Sequence, residues 1–127
     1  PPNWPQPKGY SNGISAKGTM VFVAGMVGWN EKEHFETSDF SEQARQALKN
    51  IVTVLNEAGA RPEHITRMTW YLVDLDEYKA ALKSLGKIYQ EEIGKVFPAM
   101  TGIQVAGLVE DEAKLEIEVT AVIPEKN

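Results

Sequence analysis

Residues 65–73 read Ile-Thr-Arg-Met-Thr-Trp-Tyr-Leu-Val. β-Branched and aromatic residues dominate, which is the composition of a strand. Met68, Trp70 and Leu72 alternate with Tyr71 and Val73, so both faces of the strand are apolar. Such a strand needs cover on both sides. Helices of the same chain supply one layer, and an apolar sheet face left open commonly marks a subunit interface. The stretch therefore predicts a sheet with helices on one face and another copy of the chain on the other.

The flanking segments supply those helices. Upstream, Phe40, Ala44, Ala47, Leu48, Ile51, Leu55 and Ala58 recur on one side of a 3.6-residue period. Asp39 is placed as the N-cap of that helix with Glu42 as its capping-box partner, and Gly59 as the residue just past its end. Downstream, Tyr78, Ala81, Leu82, Leu85, Ile88 and Tyr89 predict a second helix over about residues 77–93, capped by Asp74 or Asp76. Gly86 inside it is costly for a helix and suggests close packing.

Further out lie strands. Thr19–Val27 is apolar on both faces and is expected to be central and buried; Tyr10–Ala16 is a short strand before it. Pro98 opens a strand over 100–108. In Lys114–Ile123, Leu115, Ile117, Val119 and Ala121 alternate with Glu116, Glu118 and Thr120. Residues 1–9 hold four of the seven prolines and read as an extended arm. The expected order is β-β-α-β-α-β-β: one α+β domain over residues 1–127, with a mixed sheet and two helices packed on one face.

Composition removes several classes of function. With no cysteine, thiol catalysis, thiolate metal sites and disulfides are excluded. His34 and His64 are the only histidines, with no metal-ligand spacing around either, so no metal site is expected. Net charge is −5 and the basic residues are dispersed, which disfavours a nucleic-acid partner. The apolar run Met20–Met26 is too short to span a bilayer, and the Pro-rich start is no signal peptide; a cytoplasmic location is expected. A proline amine acting as catalytic base, as in tautomerases, needs Pro1 to lead directly into a strand; Pro2, Pro5 and Pro7 speak against that.

Several segments together resemble one family: Gly9-Tyr10-Ser11, Val21-Phe22-Val23-Ala24-Gly25, the helix Gln43–Ile51, Leu55–Ala60, Thr69–Asp74, Phe97-Pro98-Ala99, and Leu115-Glu116-Ile117-Glu118. In order and spacing they are similar to the RidA-type (YjgF, imine/enamine deaminase) proteins, over about residues 10–122. The resemblance implies a chorismate-mutase-like fold and a homotrimer with small-molecule clefts between subunits. It also implies hydrolysis of reactive enamines or imines without cofactor or metal. By the same resemblance, Glu116 is the carboxylate that orients water, and Tyr10 and the main chain of Ala24-Gly25-Met26 complete the pocket.

The family's arginine clamp for a substrate carboxylate falls on Met100, followed by Thr101, and an asparagine of the second helix on Lys83. Methionine cannot bind a carboxylate bidentately. The expected substrate shifts toward an aromatic or less anionic imine, with Met100 as an apolar wall. Lys83 or Arg67 of a neighbouring subunit is a candidate replacement cation. A non-catalytic ligand-binding or regulatory trimer is the rival reading; the ribonuclease activity historically attached to the family is disfavoured by charge. Trp4 and Trp29 sit in loops, where they line a cleft or pack the arm.

Overall fold

The computed structural model describes residues 1–126. Among them, four strands form one sheet: β1 (Gly18–Met26), β2 (Ile65–Leu72), β3 (Ala99–Gln104) and β4 (Leu115–Pro124), in the spatial order β1-β4-β2-β3. β4 runs antiparallel to both β1 and β2, and β3 runs parallel to β2. Helices α1 (Phe40–Glu57), α2 (Leu75–Ala80) and α3 (Leu82–Glu92) make the second layer. The fold is α+β, as the periodicities predict.

The core lies between the helices and one sheet face. Met68, Trp70 and Leu72 of β2 join Leu115, Ile117, Val119 and Ala121 of β4 under Leu48, Ile51 and Leu55 of α1. Asp39 caps α1 by accepting from the Glu42 amide at 3.0 Å, and Gly59 takes φ +78° just past its end, as expected. Only half of the capping box forms. The Asp39 amide donates to Thr37 Oγ1, while the Glu42 carboxylate turns along the helix to Arg45. Arg45 also reaches Glu91 and Glu92, tying α1 to α3.

Two amides on α1 hold the loops. Fully buried Gln43 donates to the carbonyls of Thr37 and Glu112 and accepts from the Lys114 amide. Asn50 donates to the carbonyls of Val27 and Trp29. Among the described residues no buried side-chain nitrogen or oxygen lacks a hydrogen-bond partner.

Four expectations are corrected. The strand over residues 10–16 reduces to one bridge, Ser11 with Ala99, because the chain bends at Asn12 before a second pair forms. β1 is an edge strand, not a central one. Its sequence is apolar on both faces, but one face is left open, with Phe22 72% exposed. The second helix divides at Ala81, since Tyr78 of α2 is held edge-on by Phe40 and Trp70 while Leu85 and Ile88 of α3 follow the core. β3 ends at Gln104, because its parallel partner β2 ends at Leu72, whose carbonyl takes the Val105 amide.

Candidate active site

Glu116 lies on the sheet face away from the helices. Its neighbours Leu115 and Ile117 are buried toward α1, and strand alternation sends Glu116 the other way. Across β4 it faces two partners. On β2 the opposite residue is Tyr71, whose hydroxyl donates to Glu118 Oε1 at 3.0 Å; that bond holds the Tyr71 phenol above its ordinary pKa. On β1 the pairing slips between Val23 and Met26: three steps along β1 match two along β4, from Val119 to Ile117. This is a β-bulge, and Ala24 and Gly25 form it.

The Glu116 carboxylate fills the space that the bulge opens. A Cβ built on Gly25 would stand 2.3 Å from Glu116 Oε2. Only glycine permits that approach. Ala24 and Gly25 are exposed beside the carboxylate, whereas Met26 turns inward and packs against the core. Glu116, Ala24 and Gly25 thus come together on an open face that includes the apolar Met20, Phe22 and Ile103 beside Arg67, Glu118 and Thr120.

Tyr10, Met100 and Thr101 gather elsewhere. They line a cavity of about 560 Å³ between β2, β3, α3 and the N-terminal arm. Met100 pairs with the fully buried Met68 and shares its helix-facing side, so it packs beside the core. Ser11 fastens the arm over the cavity: its amide donates to the Pro98 carbonyl at 3.0 Å and its hydroxyl to that of Phe97. Lys83 is exposed on α3 and is not among the lining residues; Arg67 stands on the open face, opposite Thr120.

Sequence reading missed most of this wall: Trp70, Tyr78, Leu82, Leu85, Tyr89 and Phe97 line the cavity. Their helical and strand periods mark them as core, and nothing local separates a core residue from a cavity wall. Gly86 also lines it. A Cβ there would meet nothing within 4 Å, so this glycine answers to open space and not to the close packing expected.

The other candidates resolve structurally. His64 Nδ1 accepts from the Arg61 amide at 3.0 Å, closing a turn before β2. Trp29 packs on Phe35 at 5.8 Å between ring centroids, while Trp4 is 61% exposed. Among the described residues, no cluster of acidic or histidine side chains is arranged to hold a metal, and no helix is long and apolar enough to cross a membrane.

Gly25 thus stands against Glu116 on the open face, while Tyr10, Met100 and Thr101 line a separate cavity beneath the arm. The family model described as Endoribonuclease L-PSP matches residues 4–123. The chain belongs to this family, the RidA-type proteins. Among curated RidA-type relatives, a RutC family protein of Aquifex aeolicus is 33% identical over 124 residues, covering 95% of this chain and 94% of the relative. The 2-iminobutanoate/2-iminopropanoate deaminase of Salmonella typhimurium is 32% identical over 113 residues, covering 89% and 86%. Among solved RidA-type structures, the Rid protein YyfB of Yersinia pestis, a protein of unknown function, superposes with a TM-score of 0.81 at 30% identity, covering 91% of this chain and 87% of that one.

Proposed function

We propose that this protein hydrolyses a reactive imine or enamine to a carbonyl compound and ammonia, in a cleft that a neighbouring copy of the chain completes. The observation that carries the reading is Glu116. It is a half-buried carboxylate wedged against a bulge glycine, with no side-chain hydrogen bond or ion pair among the described residues. A carboxylate so placed is free to take a proton from water. Relatives named as iminobutanoate/iminopropanoate deaminases at about 32% identity support the same chemistry.

The step balances without a cofactor. Water oxygen bonds to the carbon of the protonated imine, and the C=N π electrons move to nitrogen. Glu116 accepts a water proton and returns it to that nitrogen. As the C–N bond then breaks, ammonia departs and the hydroxyl passes its proton to Glu116, which releases it to solvent, so that the carbonyl remains. Tyr10 and the Gly25 main chain hold the substrate, and the gain comes mainly from orientation.

Within one chain Glu116 and the Met100 cavity lie on opposite sheet faces. β2 separates β4 from β3, which places them about 10 Å apart across the strands alone. Completing the site therefore requires a second copy against the open face. A cyclic trimer, whose subunits each offer both surfaces, meets that need.

The test is ammonia release from imines made in situ by an amino-acid oxidase, from phenylalanine, leucine and alanine. Wild type is expected to accelerate hydrolysis of the bulky imines above the spontaneous rate, and Glu116→Gln to lose about a hundredfold or more. Met100→Arg should raise turnover of the small carboxylated imine by roughly ten- to a hundredfold through one charge-assisted contact. If wild type accelerates none of these imines, the hydrolase reading fails and a ligand-binding trimer takes its place. Net charge −5 works against an RNA substrate, which a ribonuclease assay on single-stranded RNA checks directly.

A further inference from the structure

The cavity beneath the N-terminal arm carries one formal charge. Among the described residues that line it only Lys8 carries a formal charge, and within the chain no carboxylate is among them. Lys8 is exposed at the mouth and makes no ion pair among the described residues. The inner wall is apolar and aromatic. Trp70 and Tyr78 meet edge-on at 6.3 Å between centroids, with Leu85 and Met100 beside them.

The position of Lys8 is fixed by the fold. Ser11 pairs with Ala99 and is tied to Phe97 and Pro98, which anchors the arm at the outer edge of β3. The chain bends over residues 8–10, with Gly9 at φ +82°, just before that anchor, and Lys8 there lines the cavity. Within the same chain the other nearby cations are turned elsewhere: Arg67 to the open sheet face, and Lys83 to solvent on α3.

We propose that Lys8 is the carboxylate-binding residue of this site, and that the ligand is an amphipathic acid. Its aromatic or branched apolar body enters between Trp70, Tyr78, Leu85 and Met100, and its carboxylate stays at the mouth on the Lys8 ammonium. A lysine is a point charge on a flexible stem, so it holds the anion without the bidentate geometry of an arginine. The apolar wall then carries the selection: a small acid leaves that wall unfilled, and a bulky one covers it. This assignment rests on the reading that the cavity is the substrate's half of the site. It adds which residue holds the charge and which side chains the substrate carries.

Titration calorimetry with unreactive probes separates the two readings, because no turnover is involved. The probes are 3-phenylpropionate, its amide 3-phenylpropionamide, and acetate. Wild type is expected to bind the phenyl acid about three- to tenfold more tightly than the amide at low ionic strength, as one exposed ion contact allows. Rising salt should shrink that preference. Lys8→Gln should abolish it and Lys8→Arg should retain it, while acetate gives no measurable heat. Equal binding of acid and amide by wild type overturns the proposal, as does a preference that survives in Lys8→Gln. Absence of binding by either phenyl probe counts equally against it. If the preference follows Lys8 but no imine is hydrolysed, the Lys8 assignment stands and the hydrolase reading falls. If imines are hydrolysed without the preference, Lys8 alone is refuted.

Discussion

The carboxylate of Glu116 occupies the place where a side chain on Gly25 would begin, with Oε2 2.3 Å from that position. The two residues lie on neighbouring antiparallel strands, and the bulge at Ala24-Gly25 brings them together. Because the obstructing atoms belong to the end of a flexible side chain, a methyl group at residue 25 displaces Glu116 and leaves the backbone intact.

Gly25→Ala is therefore expected to lower imine hydrolysis by at least tenfold while costing less than about 1 kcal/mol of stability. Gly28 is the contrasting case. A Cβ there would meet the Gln43 backbone at 2.4 Å, and a helix cannot swing aside. Gly28→Ala should cost roughly 2–4 kcal/mol. Urea unfolding of both variants, alongside ammonia release, checks the pair. Equal stability losses would show that the Gly25 approach is structural and not a device for placing Glu116.

Gly86 stands inside α3 with open space where its side chain would be. Gly86→Ala should stabilise the protein by about 1 kcal/mol through helix propensity, raising the melting temperature by about 3–5 °C. Gly86→Leu should keep part of that gain and weaken binding of 3-phenylpropionate, since residue 86 shares the cavity-lining stripe of Leu82 and Tyr89. Calorimetric melting and titration measure the two effects separately.

On the open sheet face Phe22 is 72% and Met20 56% exposed, beside Tyr71 and Ile103. Covering these residues is expected to produce a homotrimer, so light scattering at micromolar concentration should give about three chains per particle. Phe22→Glu places a charge in that contact and should shift the mass toward one chain while circular dichroism stays unchanged. A monomeric wild type would remove the proposed inter-subunit cleft.

Tyr89 lines the cavity and its hydroxyl donates to the Val96 carbonyl at 2.7 Å. Burial pushes its phenol well above the ordinary value near 10. The folded state thus holds the proton more tightly than the unfolded chain does. The resulting stability is fully present below pH 10 and is lost as pH rises beyond it, by about 1.4 kcal/mol per pH unit for this one group. Tyr89→Phe should be less stable at neutral pH by about 1 kcal/mol, from the lost hydrogen bond, yet fall less steeply in alkali. Urea midpoints between pH 8 and 11.5 report both, and a parallel decline in the two proteins would refute the assignment.

Periodicity alone placed Leu115, Ile117 and Val119 in the core and Glu116 on the other side, because alternation along a strand is a property of the backbone. The α1 stripe, the Asp39 cap and the Gly59 terminus were legible for the same reason: each depends on residues within a few positions. Local patterns cannot say which strand lies at the edge. Thr19–Val27 reads as buried on both faces, yet the pairing β1-β4-β2-β3 leaves one of its faces open. Nor do they assign Met100 and Glu116 to opposite faces, since that follows from the register of β3 against β2 and of β4 against β2. Lys8 belongs to a Pro-rich arm without any period, and only the pinning of Ser11 to β3 carries it to the cavity. What the chain does locally was written in its sequence; which residues meet across the sheet depended on long-range pairing, and pairing is settled by the whole fold at once.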